Sequence, residues 1–164
     1  MKLKGPLMGL HLTARGFGWV VFENANMPLD WGTAEIKSGN KNATTRARFD
    51  ALLARYRPTL LVLEDSAADG SKRKDRIQRL SASIGKAARR KGTVVEVYSR
   101  GDIRAALGQE PDATRYETAQ LIADRMHVLA PRLPAKRRIW ESEHPNLSLF
   151  TAAASALAWF DQNS

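Results

Sequence analysis

Two carboxylates stand side by side, Glu64 and Asp65, directly after the apolar run 60–63. A short continuous apolar run of this kind is what a strand buried on both faces requires. The pair therefore falls at the C-terminal end of a central strand, the edge of an open α/β sheet where ligands and catalytic groups gather. The plainer reading is a strand-end acid pair that balances the arginines in which the chain is rich.

Charge of the opposite sign lies just downstream. Over 72–91 the apolar Ile77, Leu80, Ile84 and Ala87 recur at helical spacing, and at 100° per residue Lys72, Arg76, Arg79, Lys86 and Arg90 fall together on the opposing side. Asp75 lies off that face, whereas a solvent-facing helix ordinarily mixes signs for i,i+4 pairing. A stripe of one sign suits phosphates, whose contacts are independent of sequence and sensitive to salt. Ser71, Lys72, Arg73 and Lys74 add donors where the helix begins. A solvated face is the simpler alternative. A second cluster, Lys136, Arg137 and Arg138, sits in a Pro-rich connector over 130–143 with Trp140 beside it. Cations next to an aromatic can grip a backbone while stacking a base, but a Trp in such a connector is expected to be pinned onto the core.

The bulk composition agrees with a polyanionic partner. Lys and Arg number 26 against 17 Asp and Glu, a formal charge of +9 with a pI near 10.3, which favours nucleic acid; solubility alone is the other account. At 164 residues and 43% hydrophobic content, one domain over 1–164 is expected, large enough for a three-layer α/β core. No cysteine is present, which excludes disulfides and thiolate metal sites. Lys2 and Lys4 precede an apolar run too short and interrupted for a signal-peptide core or a membrane span. A cytoplasmic protein without membrane contact is the expectation.

The elements that must position these groups read off in order. A Gly-bearing break over 13–18 between apolar, β-branched runs predicts a tight hairpin over 7–22, its first strand central and its second the antiparallel neighbour. Residues 30–36 alternate as a third antiparallel strand and end in the turn-forming SGNKN. Phe49, Leu52, Leu53 and Tyr56 predict a helix over 44–56 that stops at Pro58. After the 72–91 helix, closed by Gly92, come a strand over 93–97 and helices over 102–107 and 114–124. Pro145 suits the first turn of a last helix reaching about Phe160, with Leu149, Phe150, Ala153, Leu157 and Phe160 apolar.

The hairpin resembles the opening of the ribonuclease H-like superfamily, most closely its RuvC-type branch, the Holliday-junction resolvases and their relatives. Gly9, Leu10, Thr13, Arg15, Gly16, Phe17, Gly18 and Val20 fit that pattern, but His11 holds the position of its Asp. LVLED resembles the fourth strand of the branch, with Glu64 at its metal-binding Glu. Ile103, Arg104, Ala106, Leu107 and Gly108 match a further segment, and Ala113, Thr114, Arg115 and Glu117 match an A-T-K/R-x-E helix start, which would bring Arg115 within reach of a phosphate; a surface helix cation is the alternative. The resemblance implies an α/β fold with a mixed five-stranded sheet, three antiparallel strands followed by parallel ones, helices on both faces, and a homodimer.

It also implies three acids around two divalent ions about 3.5 to 4 Å apart. Of these, Glu64 is retained. The last-helix acid falls at Thr151 in one register and at Ala152 and Ser155 in the other, and none is a carboxylate. Glu143 matches an acid common in close relatives. Three readings follow. The first is a nucleic-acid-binding RuvC-like protein, for branched or structured DNA, on a degenerate catalytic site. The second is a magnesium- or manganese-dependent endonuclease with a rearranged set, Glu64, Asp65, Glu143 and His11, of which Glu64 and Asp65 hold the metal; His11 would also suit zinc. The third is a structural or assembly protein.

Overall fold

The expected hairpin forms because β1 (Leu7–Thr13) buries residues 7–10 and β2 (Gly16–Asn24) buries residues 16–18 and 20–22, and only two residues, Ala14 and Arg15, separate the paired Thr13 and Gly16. The structure is a computed structural model described over residues 3–65 and 72–164, the side chains of 72–74 excepted. β3 (Met27–Glu35) continues the meander, starting three residues ahead of the expected 30–36. A parallel crossover through α1 (Lys41–Tyr56) delivers β4 (Leu60–Glu64) beside β1, and α2 (Lys72–Arg90) delivers β5 (Val94–Tyr98) beside β4. The order β3-β2-β1-β4-β5 is the mixed five-stranded sheet of a ribonuclease H-like α/β fold.

Helix boundaries follow local chemistry. α1 begins at Lys41, ahead of the expected Thr44, because the Asn40 side chain accepts the Ala43 N–H at 3.1 Å. α3 (Arg100–Ala106) and α4 (Arg115–Arg125) each start in a reciprocal capping box: Ser99 with Asp102, and Thr114 with Glu117. In both, the residue after the cap is an arginine. The A-T-R-x-E pattern is thus a helix-start signal that fixes Arg115 in the first turn of α4.

Two apolar layers clamp the sheet. Met8, Leu10, Val21, Leu61 and Leu63 meet α1 and α2; Leu7, Val20, Phe22, Leu60 and Val62 meet α3, α4 and α5 (Asn146–Gln162). Because side chains alternate along a strand, His11 and Glu64 share the α5 side, whereas Asp65 faces α2. α5 is buried from Leu147 through Trp159, which explains an apolar composition on all sides instead of one stripe.

α5 approaches the sheet so closely that side chains are excluded beneath it. A Cβ on Gly9 would meet the Ala152 carbonyl oxygen, and one on Gly18 would meet the Ser148–Leu149 peptide. Backbone cannot swing aside as a side-chain tip can, so Gly18→Ala is expected to cost about 3 kcal/mol. Gly39→Ala, at a positive φ with open space around it, should cost only about 1 kcal/mol. Urea midpoints of the two variants check the contrast.

Candidate nucleic-acid interface

Glu64 ends β4 with its carboxylate turned under α4, and the first-turn Arg115 meets it face on. Nη1 donates to Oε1 at 3.1 Å and Nη2 to Oε2 at 2.8 Å, a bidentate pair of the strong, oriented kind. Only 6% of the Glu64 side chain is exposed. Burial opposes its ionisation, but the Arg115 hydrogen bonds and the charges of Arg115 and Arg100 outweigh that and hold its pKa below the usual carboxylate value. His11 Nδ1 lies 3.7 Å from Oε2. Burial is the main cause that lowers the His11 pKa to about 4, against the pull of Glu64. At neutral pH the centre is therefore a neutral imidazole, a carboxylate and a guanidinium.

This arrangement does not fit the four-ligand set expected from the sequence. Asp65 lines a groove on the α2 side with Gln78, Ser81 and Arg89, so the sheet itself separates it from His11 and Glu64. Among the described residues no three His, Asp or Glu side chains converge on one point. Both oxygens of Glu64 are engaged by Arg115, and a divalent ion needs an oxygen-rich, net negative cage. Glu143 does reach this edge: with His11, Arg115 and Thr151 it lines a cleft of about 290 Å³. Thr151, the last-helix acid position in one register, spends its hydroxyl on the Leu147 carbonyl at 3.0 Å. The centre is a neutralised ion pair, which does not fit a divalent ion.

Cations gather on the other side of Arg115. A larger cleft, about 750 Å³, runs between α3, the start of α4 and the connector, lined by Arg100, Arg104, Arg115, Lys136, Arg137 and Arg138. The Arg100 pKa is pushed below the ordinary guanidinium value, by burial first and then by Arg115 and Arg104. Arg104 Nε is buried without a hydrogen-bond partner. Like charges held this close suit a polyanion that offsets their repulsion.

The expected cations thus divide into two groups. Arg115, Lys136, Arg137 and Arg138 share the large cleft; Arg79, Lys86 and Arg90 are exposed along α2 on the opposite side of the sheet. Arg76 is tied down, donating to Asn42 Oδ1 at 2.7 Å and the Ala14 carbonyl at 3.2 Å. The contribution of Ser71, and the side-chain roles expected of Lys72, Arg73 and Lys74, lie outside the described residues. Arg100 and Arg104 were not among the expected binding residues; the signal for them is a pair of arginines at i,i+4 behind a Ser-x-x-Asp cap. Trp140, expected on the core, is instead 75% exposed.

A histidine with a depressed folded-state pKa binds its proton more readily in the unfolded chain. Stability should thus be flat above about pH 6.5 and fall as pH drops toward 4, by on the order of 2 kcal/mol between pH 7 and pH 5. The lowered Glu64 pKa adds an acid loss of the same sign at still lower pH. Urea titrations at the two pH values should show the step in the wild type and lose it in His11→Gln. Removing one partner strands the other: Arg115→Met should cost about 3 kcal/mol, Glu64→Gln less, and a double-mutant cycle should return a coupling above about 1 kcal/mol.

No protein-family model matches the sequence, and no curated protein matches it. Solved structures do. Thermus thermophilus RuvC in complex with a Holliday junction substrate aligns over 94% of this chain and 92% of its own, with a TM-score of 0.70 at 16% identity. The yeast mitochondrial Holliday junction resolvase aligns over 94% of this chain and 77% of its own, with a TM-score of 0.62 at 12% identity. The fowlpox virus resolvase aligns over 97% and 99%, with a TM-score of 0.55 at 11% identity. The chain has the RuvC-like form of the ribonuclease H-like fold.

Proposed function

We propose that this chain is a DNA-binding protein of the RuvC-like fold that engages branched or structured DNA without cleaving it, the whole of 1–164 acting as one domain. The observation that carries this reading is the cleft whose lining gathers six cations at the C-terminal edge of the sheet, directly beside Glu64. Support comes also from the overall charge of +9 and from the likeness to a RuvC bound to a Holliday junction.

In this reading Arg115 has two tasks. It neutralises Glu64, so that phosphate can approach an edge that would otherwise repel it, and it stands beside Arg100 and Arg104 as part of the surface that meets the backbone. The neutral His11 fills the adjacent space without adding charge of either sign. The exposed cations of α2, on the other side of the sheet, add sequence-independent attraction from a distance.

Gel shifts on a labelled four-way junction, with duplex and single-strand controls, test the reading. Affinity should fall roughly a hundredfold between 50 and 200 mM salt if about four phosphates are neutralised. The cleft variant Lys136→Glu/Arg137→Glu/Arg138→Glu should lose at least about tenfold. A variant with the same charge change on exposed residues elsewhere, Lys37→Glu/Arg48→Glu/Arg55→Glu, should lose much less. Equal losses in both would contradict a cleft-centred site, and affinity indifferent to salt would favour an assembly role. Incubation with magnesium and then manganese should leave the junction intact; cleavage that disappears in Glu64→Ala would establish an endonuclease instead.

A further inference from the structure

Ile139 and Trp140 are 92% and 75% exposed, the most exposed large apolar side chains among the described residues. They occupy the two central positions of a turn closed by the Glu141 N–H, which donates to the Arg138 carbonyl at 3.0 Å. Such positions usually carry Gly, Pro, Asn, Asp or Ser, which suit the backbone and lose nothing in water. This turn is also braced. Arg137 Nη1 donates to the Glu141 carbonyl at 2.7 Å, and the Arg138 guanidinium lies over the Trp140 ring, 5.6 Å from its centroid. Two large apolar groups are therefore held out in solvent by a dedicated set of contacts, and neither joins the apolar core among the described residues.

Their surroundings specify what could cover them. Ile139 lines the same cleft as Arg100, Arg104, Arg115 and Lys136. The occupant must then offer anionic groups to the cleft and a flat apolar face to the turn, and a nucleotide whose base has left its helix offers both. The cation over one face of Trp140 favours a base on the other, since a guanidinium and a base can sandwich an indole.

We propose that the 138–141 turn is a base-stacking element: Trp140 stacks on an unpaired nucleobase, Ile139 covers its edge, and the cleft arginines hold the flanking phosphates. The proposal rests on the nucleic-acid reading above and adds to it a preference for DNA with extrahelical or unpaired bases.

Fluorescence anisotropy on three labelled DNAs tests it: a perfect duplex, the same duplex with one extrahelical adenine, and the same bulge carrying an abasic site. The wild type should prefer the adenine bulge over the abasic bulge by roughly tenfold, the scale of one stacked base. Trp140→Ala should erase that preference while keeping its affinity for the perfect duplex, and Trp140→Phe should retain most of it. A wild type that treats the two bulges alike, or a preference that survives in Trp140→Ala, would overturn the stacking element while leaving DNA binding intact. Failure to bind any of the three DNAs at low salt would overturn both. Sedimentation provides the remaining arm: a dimer that Trp140→Ala converts to monomer, with no bulge preference in the wild type, would make the turn a subunit contact instead.

Discussion

The pairing of Glu64 with Arg115 is the interaction on which the character of this molecule turns. A carboxylate almost completely enclosed at the end of a central strand cannot stay charged without a partner. Two sources of positive charge could serve it, a metal ion or a cationic side chain, and in this fold the guanidinium is delivered by a device written into the sequence. The Thr114–Glu117 capping box fixes the start of α4, and the residue following the cap reaches Glu64 with both terminal nitrogens. A neutral His11 fits the same balance. One carboxylate and one guanidinium sum to zero, and a second acid on β1 would leave a buried negative charge unmatched.

The rest of the fold keeps that pair in place. α5 lies against β1 and β2 where Gly9 and Gly18 remove every obstructing atom, and its small residues let the helix sink into the sheet. This seals the side of the sheet that His11 and Glu64 occupy. It also brings the connector ahead of α5 across the edge of α4, so that Lys136, Arg137 and Arg138 face Arg100 and Arg104 over one cleft. The cationic cleft is thus a consequence of how closely one helix approaches two strands.

Much of this was legible in the residues. The hairpin, the buried β4 run and the Glu64 terminus follow from apolar pattern and turn chemistry, which act locally, and the order of elements followed from them. Asp65 shows where local reasoning stops. Adjacent residues on a strand point to opposite faces, so two neighbouring acids at a strand end could not both serve one site, and the alternation that placed Glu64 with His11 removed Asp65. Trp140 was misplaced for a different reason. Nothing in a Pro-rich basic stretch tells whether an aromatic turns inward; that depends on a turn closed between Arg138 and Glu141. Arg100 and Arg104 were missed because their proximity to Arg115 is created by the packing of α3 beside α4, a tertiary fact.

At Glu64 the positive charge comes from a guanidinium, which leaves no room for a divalent ion. Titrating manganese into the protein, with free ion followed by electron paramagnetic resonance, addresses that claim without reference to any substrate. Only weak, non-stoichiometric association is expected, and Glu64→Gln should leave it unchanged. One tight equivalent per chain, abolished by Glu64→Gln, would contradict it and place a metal where Arg115 is held to stand.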